Sequence, residues 1–288
     1  MIVLTGAAGF IGSVILGYLN KQGITDIAIV DDFKLPVQYK NLLGKQYRAL
    51  CTSIGDLPKD KIEAVIHFGA NSSTLEQDWS SIYDTNVRST RRWVEFAKEH
   101  KAKFIFASSA AVYGNGAGPL NLYGFSKLVS EQELTDCVIL RLFNVYGPNE
   151  YHKDRMASTA YHWYNQLSNT NSLKIFENSE QFHRDFIWVE DVARVVEFFL
   201  NSYQPGIYDL GSGISTSFNY VADQIIDVVR SGSKNVIPMP DDLKQQYQTN
   251  TIADLSSLDI AGFPVASLTT TSQGLKTYVE YLKNHDYY

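Results

Sequence analysis

The chain has 288 residues, 44% hydrophobic and 13% aromatic, a globular balance that argues against disorder. A formal net charge of −6 without a long basic run argues against nucleic acid as a main partner, while small anions can still be met by local basic residues. Cys51 and Cys137 lie far apart and outside any C-x-x-C, which suits buried thiols in a reduced protein better than a disulfide framework.

The opening "MIVLTG" reads as a short buried strand. It carries neither a basic leader nor an apolar run long enough for a signal peptide or membrane span, so a cytoplasmic protein with no membrane partner is expected. "FIGSVILGYLNKQG" reads as a helix ending near Gly23, and "DIAIVD" as a second strand. "EAVIHFGA" and "KFIFASS" are unbroken apolar runs of strand length, with "SSIYDTNVRSTRRWVEFAKEH" helical between them. "YGFSKLVSEQEL" follows as a helix and "CVILRLFN" as a strand. Strands apolar on both faces and alternating with helices predict an α/β fold, a doubly wound parallel sheet of the Rossmann kind.

Beyond about residue 145 the alternation loosens. "LKIFEN", "DFIWVEDVARVVEFFLN", "GIYDLGSG" and "SFNYVADQIIDVV" mix short strands with helices. The expected organisation is a dinucleotide-binding domain over 1–145, with 186–214 packing back onto it. Residues 146–288 form a smaller mixed α/β region for substrate.

"LTGAAGFIGS" places Gly6, Gly9 and Gly12 between the first strand and the first helix. Glycine suits a tight turn, close backbone approach to a pyrophosphate and close helix–strand contact, and the helix N-terminus offers unpaired N–H groups to phosphate. Asp31, nineteen residues past Gly12, is placed to accept from an adenosine ribose. Asp32 adds a second carboxylate that would repel a 2′-phosphate, favouring NAD over NADP, although Lys34 or Lys40 could offset it and Asp32 could equally cap a turn.

Tyr123 and Lys127 form a Tyr-x-x-x-Lys pair on one helix face, where an ammonium would lower the phenol pKa towards working pH. Such a tyrosine can take a hydroxyl proton while hydride leaves to nicotinamide. Ser108 and Ser109 end the strand upstream, at the sheet edge where ligands sit.

Together "TGAAGFIG", "SSAAVYG", "YGFSK" and "RDFIWVEDVA" resemble the extended short-chain dehydrogenase/reductase superfamily over nearly the whole chain. The resemblance implies a Ser109, Tyr123, Lys127 triad and a nucleotide-sugar substrate. "FNVYGPNEYHKDRMAS", "KIFENSEQFHRDFIWVEDVA", "PDDLKQQYQTNTIADL" and "HFGANSST" are similar to the ADP-L-glycero-D-manno-heptose 6-epimerase branch. That branch implies inversion at C6″ through a transient ketone with a tightly held NAD or NADP, a role in lipopolysaccharide core synthesis, and a homo-oligomer, a pentamer among the options. It makes Lys153 a second acid/base, a role a lysine can fill if burial or a neighbouring cation such as Arg155 lowers its pKa. The plain alternative is that Lys153 neutralises phosphate or is surface charge.

The same branch implies cofactor contacts from Phe10, Ile11 and Gln38, from Phe68, Gly69, Ala70, Asn71 and Ser72, and from Asn86, Lys127 and Val145. Substrate contacts are implied for Asn144, Arg155, His162, Phe176, Glu177, Asn178, Ser179, Arg184 and Tyr247. Arg184 suits a diphosphate clamp, or else a structural pair with Asp185 or Glu190. His162 would be structural if its helix is amphipathic. No metal site is expected. Three departures stand out: Arg155 replaces a serine, Gln38 replaces a lysine that helps hold a 2′-phosphate, and the segment 113–123 is short and lacks an acidic residue. Ala110, Ala111 and Val112 stand where dehydratases carry Asp-Glu, which argues against elimination. A 4-epimerase and a non-catalytic cofactor sensor remain as other readings.

Overall fold

The computed structural model describes residues 1–240 and 250–284. Seven parallel strands form its central sheet: β1 (Ile2–Thr5), β2 (Ile27–Val30), β3 (Ala49–Cys51), β4 (Ala64–His67), β5 (Lys103–Ser109), β6 (Val138–Leu142) and, much later, β11 (Gly206–Leu210). Their order is β11-β6-β5-β4-β1-β2-β3, which reverses direction between β1 and β4. A ligand crevice belongs at that reversal, beyond the strand C-termini.

β1, β2 and β4 are short, and all but one of their residues are buried. Helices cover both faces, so these strands need apolar side chains on each side. On one face α1 (Phe10–Lys21) packs against α6 (Val189–Asn201), burying Ile15, Leu16, Leu19, Val192, Val196 and Phe199. On the other, Trp93, Val94 and Ala97 of α3 (Ser89–His100) meet Val3, Val65, Phe104 and Phe106. Each large aliphatic or aromatic side chain buried this way stabilises the fold by roughly 1.5–3 kcal/mol.

The long helix expected from residue 80 to 100 is not uniform. After α2 (Trp79–Ile82) comes a π-helical stretch, Tyr83–Arg88, before α3 resumes the normal pitch. Asn86 lies in this wide turn, whose carbonyl takes the Thr90 hydroxyl at 2.6 Å. Such insertions re-aim side chains, here the Asn86 amide. Leu122–Glu133 forms α4, capped by Asn121, whose side chain accepts from the Gly124 N–H at 2.8 Å.

The rest of the chain builds a third core against the sheet's β6–β11 end. β7 (Val145–Tyr146) pairs with β10 (Ile187–Trp188). After α5 (Thr159–Thr170), β8 (Ser172–Phe176) pairs with β13 (Ser233–Ile237). β9 (His183–Asp185) runs antiparallel to β12 (Ser215–Ser217), which leads into α7 (Phe218–Val229). Phe186, Trp188 and Tyr278 pack around Tyr146, and Trp163 of the same core meets Phe218. Tyr278 comes from the helix Thr271–Asn284, where a Cβ on Gly274 would overlap the Tyr146 hydroxyl. No described helix is long and apolar enough to cross a membrane.

Asp185 ties this region to the sheet. Its fully buried carboxylate accepts from Ser212 N (2.6 Å), Ser212 Oγ (2.7 Å), Gly213 N (2.9 Å) and Ala253 N (3.0 Å). An amide in its place would turn an NH2 towards backbone N–H donors. Asp185→Asn is therefore expected to lower stability by about 2–3 kcal/mol, read as a lower denaturant midpoint at unchanged slope.

Candidate active site

The cleft at the sheet reversal encloses about 820 Å³. Its floor is the glycine turn. Gly6 has φ +70°, and a Cβ there would lie 2.7 Å from the Gly69 nitrogen, so the loops after β1 and β4 touch through backbone alone. A Cβ on Gly12 would overlap the Gly6 carbonyl oxygen, which lets α1 start hard against the turn. Gly9 is the N-cap of α1, with no side-chain cap and no acidic residue in the first turn. The helix thus presents free N–H groups to the cleft, an anion seat by charge and geometry.

Asp31 closes the far end of this floor. It is buried at the end of β2, and its carboxylate accepts from Ala8 N at 2.8 Å and Phe33 N at 3.0 Å. Burial pushes its pKa up while these bonds work against the rise. Asp32 is exposed and lies 3.7 Å from the Lys34 ammonium, and the Gln38 side chain accepts from Leu35 N at 2.8 Å. Both line the cleft, as do Phe10, Ile11, Phe68, Gly69, Ala70, Asn71 and Ser72. A dinucleotide fits this arrangement: helix N–H groups for pyrophosphate and a carboxylate for a ribose.

Tyr123 and Lys127 line the cleft from α4. Lys127 is buried, donates to the Ala107 carbonyl at 2.7 Å and sits 4.7 Å above the Phe106 ring. Desolvation lowers its pKa to about 7, against the pull of Glu131. Tyr123 departs from expectation. Burial raises its phenol pKa, and the opposing influence is a hydrogen bond with Ser109, not the Lys127 charge. The reason is that Lys127 points at a carbonyl beneath the strand. Ser109, expected in the triad, is outside the cleft lining and accepts from Ala111 N at 3.1 Å, whereas Ser108 lines the cleft and donates its hydroxyl to Glu131, itself paired with Arg141 at 2.6 Å.

The other wall is the loop after β7. Lys153 lines the cleft, with its amine 3.4 Å from Ser72 Oγ and 5.9 Å from the Phe10 ring centre. Burial lowers its pKa and the Glu150 carboxylate raises it. Arg155, expected to assist, is exposed and outside the cleft lining, and the influences on Lys153 are burial and Glu150. Between the two, Asp154 takes φ 46° and ψ −125°, and that kink parts the neighbouring side chains.

The other expected residues lie outside the cleft lining. Asn86 sits behind it, accepting from Asn71 N at 2.8 Å and donating to Ser126 Oγ at 2.8 Å. Val145 is in β7, against the main core. Asn144, at φ 22°, donates to the Asp185 carbonyl at 2.8 Å. His162 is half-buried on α5. Phe176 ends β8, Glu177 and Asn178 are exposed, and Ser179 is buried. Arg184 is buried in β9, donates to the His183 carbonyl at 2.8 Å and lies 5.5 Å from the Phe218 ring centre. The carboxylates considered as its partners are engaged elsewhere, Asp185 as above and Glu190 at 3.6 Å from Lys21. Tyr247 lies outside the described residues.

Two residues without a sequence motif complete the site. His152 lines the cleft beside Lys153, and burial together with the Lys153 charge lowers its pKa to about 4. His67, at the end of β4, is buried between hydroxyls, Nδ1 2.7 Å from Thr5 Oγ1 and Nε2 3.1 Å from Thr90 Oγ1. Thr90 donates to Asn86 O, so it accepts from Nε2–H, and Thr5, which accepts Gly69 N–H at 3.0 Å, donates to Nδ1. Through Asn86 and Ser126 the chain of bonds reaches the Tyr123 carbonyl.

Residues 2–211 match the model of the NAD dependent epimerase/dehydratase family. Among solved structures, the chain is similar to the ADP-L-glycero-D-manno-heptose-6-epimerase of Helicobacter pylori, at 26% identity and TM-score 0.86 over 99% of this chain and 96% of that one. It is also similar to the UDP-N-acetylglucosamine 4-epimerase of Methanobrevibacter ruminantium, at 23% identity and TM-score 0.86 over 98% of each. A third, the UDP-glucuronic acid 4-epimerase of Bacillus cereus, was solved with UDP-glucuronic acid and NAD. It shares 24% identity at TM-score 0.82, over 98% of this chain and 99% of that one. The last two likenesses show the fold alone.

Two measurements probe the site. Burial and the Lys127 charge lower the His67 pKa from 6.5 to about 3, so below pH 6.5 the unfolded chain binds a proton that the folded one refuses. Stability from this source is present above pH 6.5 and is lost as pH falls towards 3. Between pH 7 and pH 5 the native chain should lose about 2 kcal/mol that His67→Gln does not, read from denaturant curves at both pH values. Asp31→Ala should weaken NAD binding by roughly 10–100-fold, measured by calorimetry.

Proposed function

The chain belongs to the NAD dependent epimerase/dehydratase family, and we propose that within it the protein is a nucleotide-sugar epimerase that inverts C6″ of ADP-D-glycero-D-manno-heptose. The observation that carries this reading is the Lys153 amine, which shares one cleft with Tyr123 and Lys127 although it comes from a different loop. In this reading residues 1–145, with the α6–β11 stretch packed back, hold the cofactor, and the region from residue 146 holds the sugar nucleotide.

A bound nicotinamide supplies the hydride acceptor and later the hydride donor. Tyr123 takes the hydroxyl proton as the sugar carbon loses hydride, leaving a 6″-ketone, and Ser109 steadies the phenol oxygen. Tyr123 has to be the phenolate before it takes that proton, and its hydrogen bond with Ser109 is what favours that form against burial. Once the ketone has turned over and its opposite face would receive the hydride, Lys153 provides the proton that restores the hydroxyl; the site is reset when Tyr123 gives up its proton and Lys153 regains one from solvent. The sequence leaves no net redox change. Burial lowers the Lys153 pKa from its ordinary value, which eases the release of its proton. The Asp31 and Asp32 carboxylates support NAD over NADP, since a 2′-phosphate would sit beside them.

A 4-epimerase is the second reading, favoured by the fold likeness to the two UDP-sugar enzymes, and it needs no second proton carrier. Incubation with ADP-heptose and, separately, UDP-galactose, followed by proton NMR, distinguishes the two. Lys153→Met is expected to lower epimer formation from ADP-heptose by roughly 10²–10⁴-fold, with NAD binding retained. Undiminished turnover in that variant, or turnover of UDP-galactose alone, counts against the reading.

A further inference from the structure

A loop that carries a proton donor must be held still, and this one bends at Asn149 (φ 74°) and Asp154 (φ 46°). Its inner anchor is Glu150, one of the most deeply buried acids in the chain at 1% exposure. The carboxylate accepts from Gly147 N at 3.3 Å, from Ser158 Oγ at 2.7 Å and from Ser158 N. The Tyr278 hydroxyl, on the helix Thr271–Asn284, is a fourth donor. Two of the four are backbone N–H groups, which can only donate, so these donors favour the ionised carboxylate against the burial that pushes its pKa up. It also lies at the N-terminus of α5, where the helix dipole favours negative charge; Ser158 is the N-cap and accepts from Tyr161 N at 3.2 Å.

The loop runs directly from this anchor to the cleft. Lys153 N donates to the Glu150 carbonyl at 2.9 Å, and the Lys153 amine turns the other way, towards Ser72 and Phe10. On the cofactor side Asn149 donates to Ser13 Oγ at 2.9 Å, and Asn41 reaches the Asn149 carbonyl at 3.4 Å.

We propose that Glu150 is the positioning residue for Lys153: its buried carboxylate clamps the loop between α5 and the C-terminal helix and places an opposite charge behind the amine. This rests on the reading of Lys153 as the second proton carrier. It deepens that reading by tying the α5 N-terminus and the C-terminal helix, which bear no reacting group, to the acidity of the amine. The Lys153 amine faces Ser72 and Phe10, His152 lies beside it and Glu150 behind it; Asp154 on the same loop is exposed. Tyr278, on the far side of Glu150, stacks on Tyr281 with ring centres 6.3 Å apart, and burial together with Glu150 pushes its own pKa up. Burial lowers the Lys153 pKa and Glu150 restores part of it.

The test is competitive acetylation of the full-length, NAD-loaded protein across pH, with the extent at Lys153 read by peptide mass spectrometry. Glu150→Gln keeps the size, removes the charge and sets an NH2 against N–H donors. It should lower the apparent Lys153 pKa by about one unit and raise its labelling rate several-fold. Tyr278→Phe keeps the charge and loses one bond, so the rate should rise while the pKa holds. If Glu150→Gln does not fold, Tyr278→Phe carries the test alone. Native-like rate and pKa in every folded variant would overturn the proposal. The pH profile of epimerisation separates the two ideas. A labelling shift with an unmoved profile keeps Glu150 as the anchor and removes Lys153 from the chemistry, whereas a profile that moves with the labelling supports both.

Discussion

Burying an ammonium costs several kcal/mol unless something compensates it, and on the walls of one cleft this chain buries Lys127 and half-buries Lys153. Lys127 is compensated by the Ala107 carbonyl and the Phe106 ring, Lys153 by Glu150 and the edge of Ser72. Neither amine is an ordinary surface cation, and burial lowers the pKa of both. The sheet fixes Lys127 through β5 and α4. The third core fixes Lys153 through Glu150, Ser158 and Tyr278. The site therefore depends on two separately packed parts of the fold meeting at the sheet's C-terminal edge.

The floor between the walls is built by backbone contact. The approach of Gly6 to Gly69, and of Gly12 to the Gly6 carbonyl, leaves no room for side chains there. What fills the layer beneath is a directed line of hydrogen bonds from Gly69 through Thr5, His67, Thr90 and Asn86 to Ser126 and Tyr123. That line is complete only with a neutral His67, which joins the cofactor floor to the helix bearing Tyr123 in one protonation state.

How much of this could be read from the sequence follows from the range of each interaction. The glycine turn, Asp31 and the Tyr123–Lys127 spacing are local signals, and the structure gathers those residues into one cleft. Lys153 came through likeness to a family motif. The assistance expected from Arg155 failed because a single kink at Asp154 sends consecutive cations in different directions, which spacing does not reveal. The phenol shift expected of Lys127 failed because the amine's actual partner, Ala107 O, is fixed by strand packing. His67 and Glu150 carry no motif. One resembles any polar end of a strand and the other any loop acid, until burial and partners distant in sequence are known. The π turn at Asn86 also escaped, since periodicity over 80–100 fits an ordinary helix.

The central claim is that a phenol and an amine serve opposite sides of one sugar carbon. The most direct measurement is a crystal structure with NAD and the ADP-heptose bound, reading the distances from the C6″ oxygen. The account predicts Tyr123 Oη within about 3.2 Å of that oxygen in one orientation of the sugar end, and Lys153 Nζ equally close in the turned orientation. A complex with Lys153 paired to the diphosphate and remote from C6″ in every orientation would contradict it.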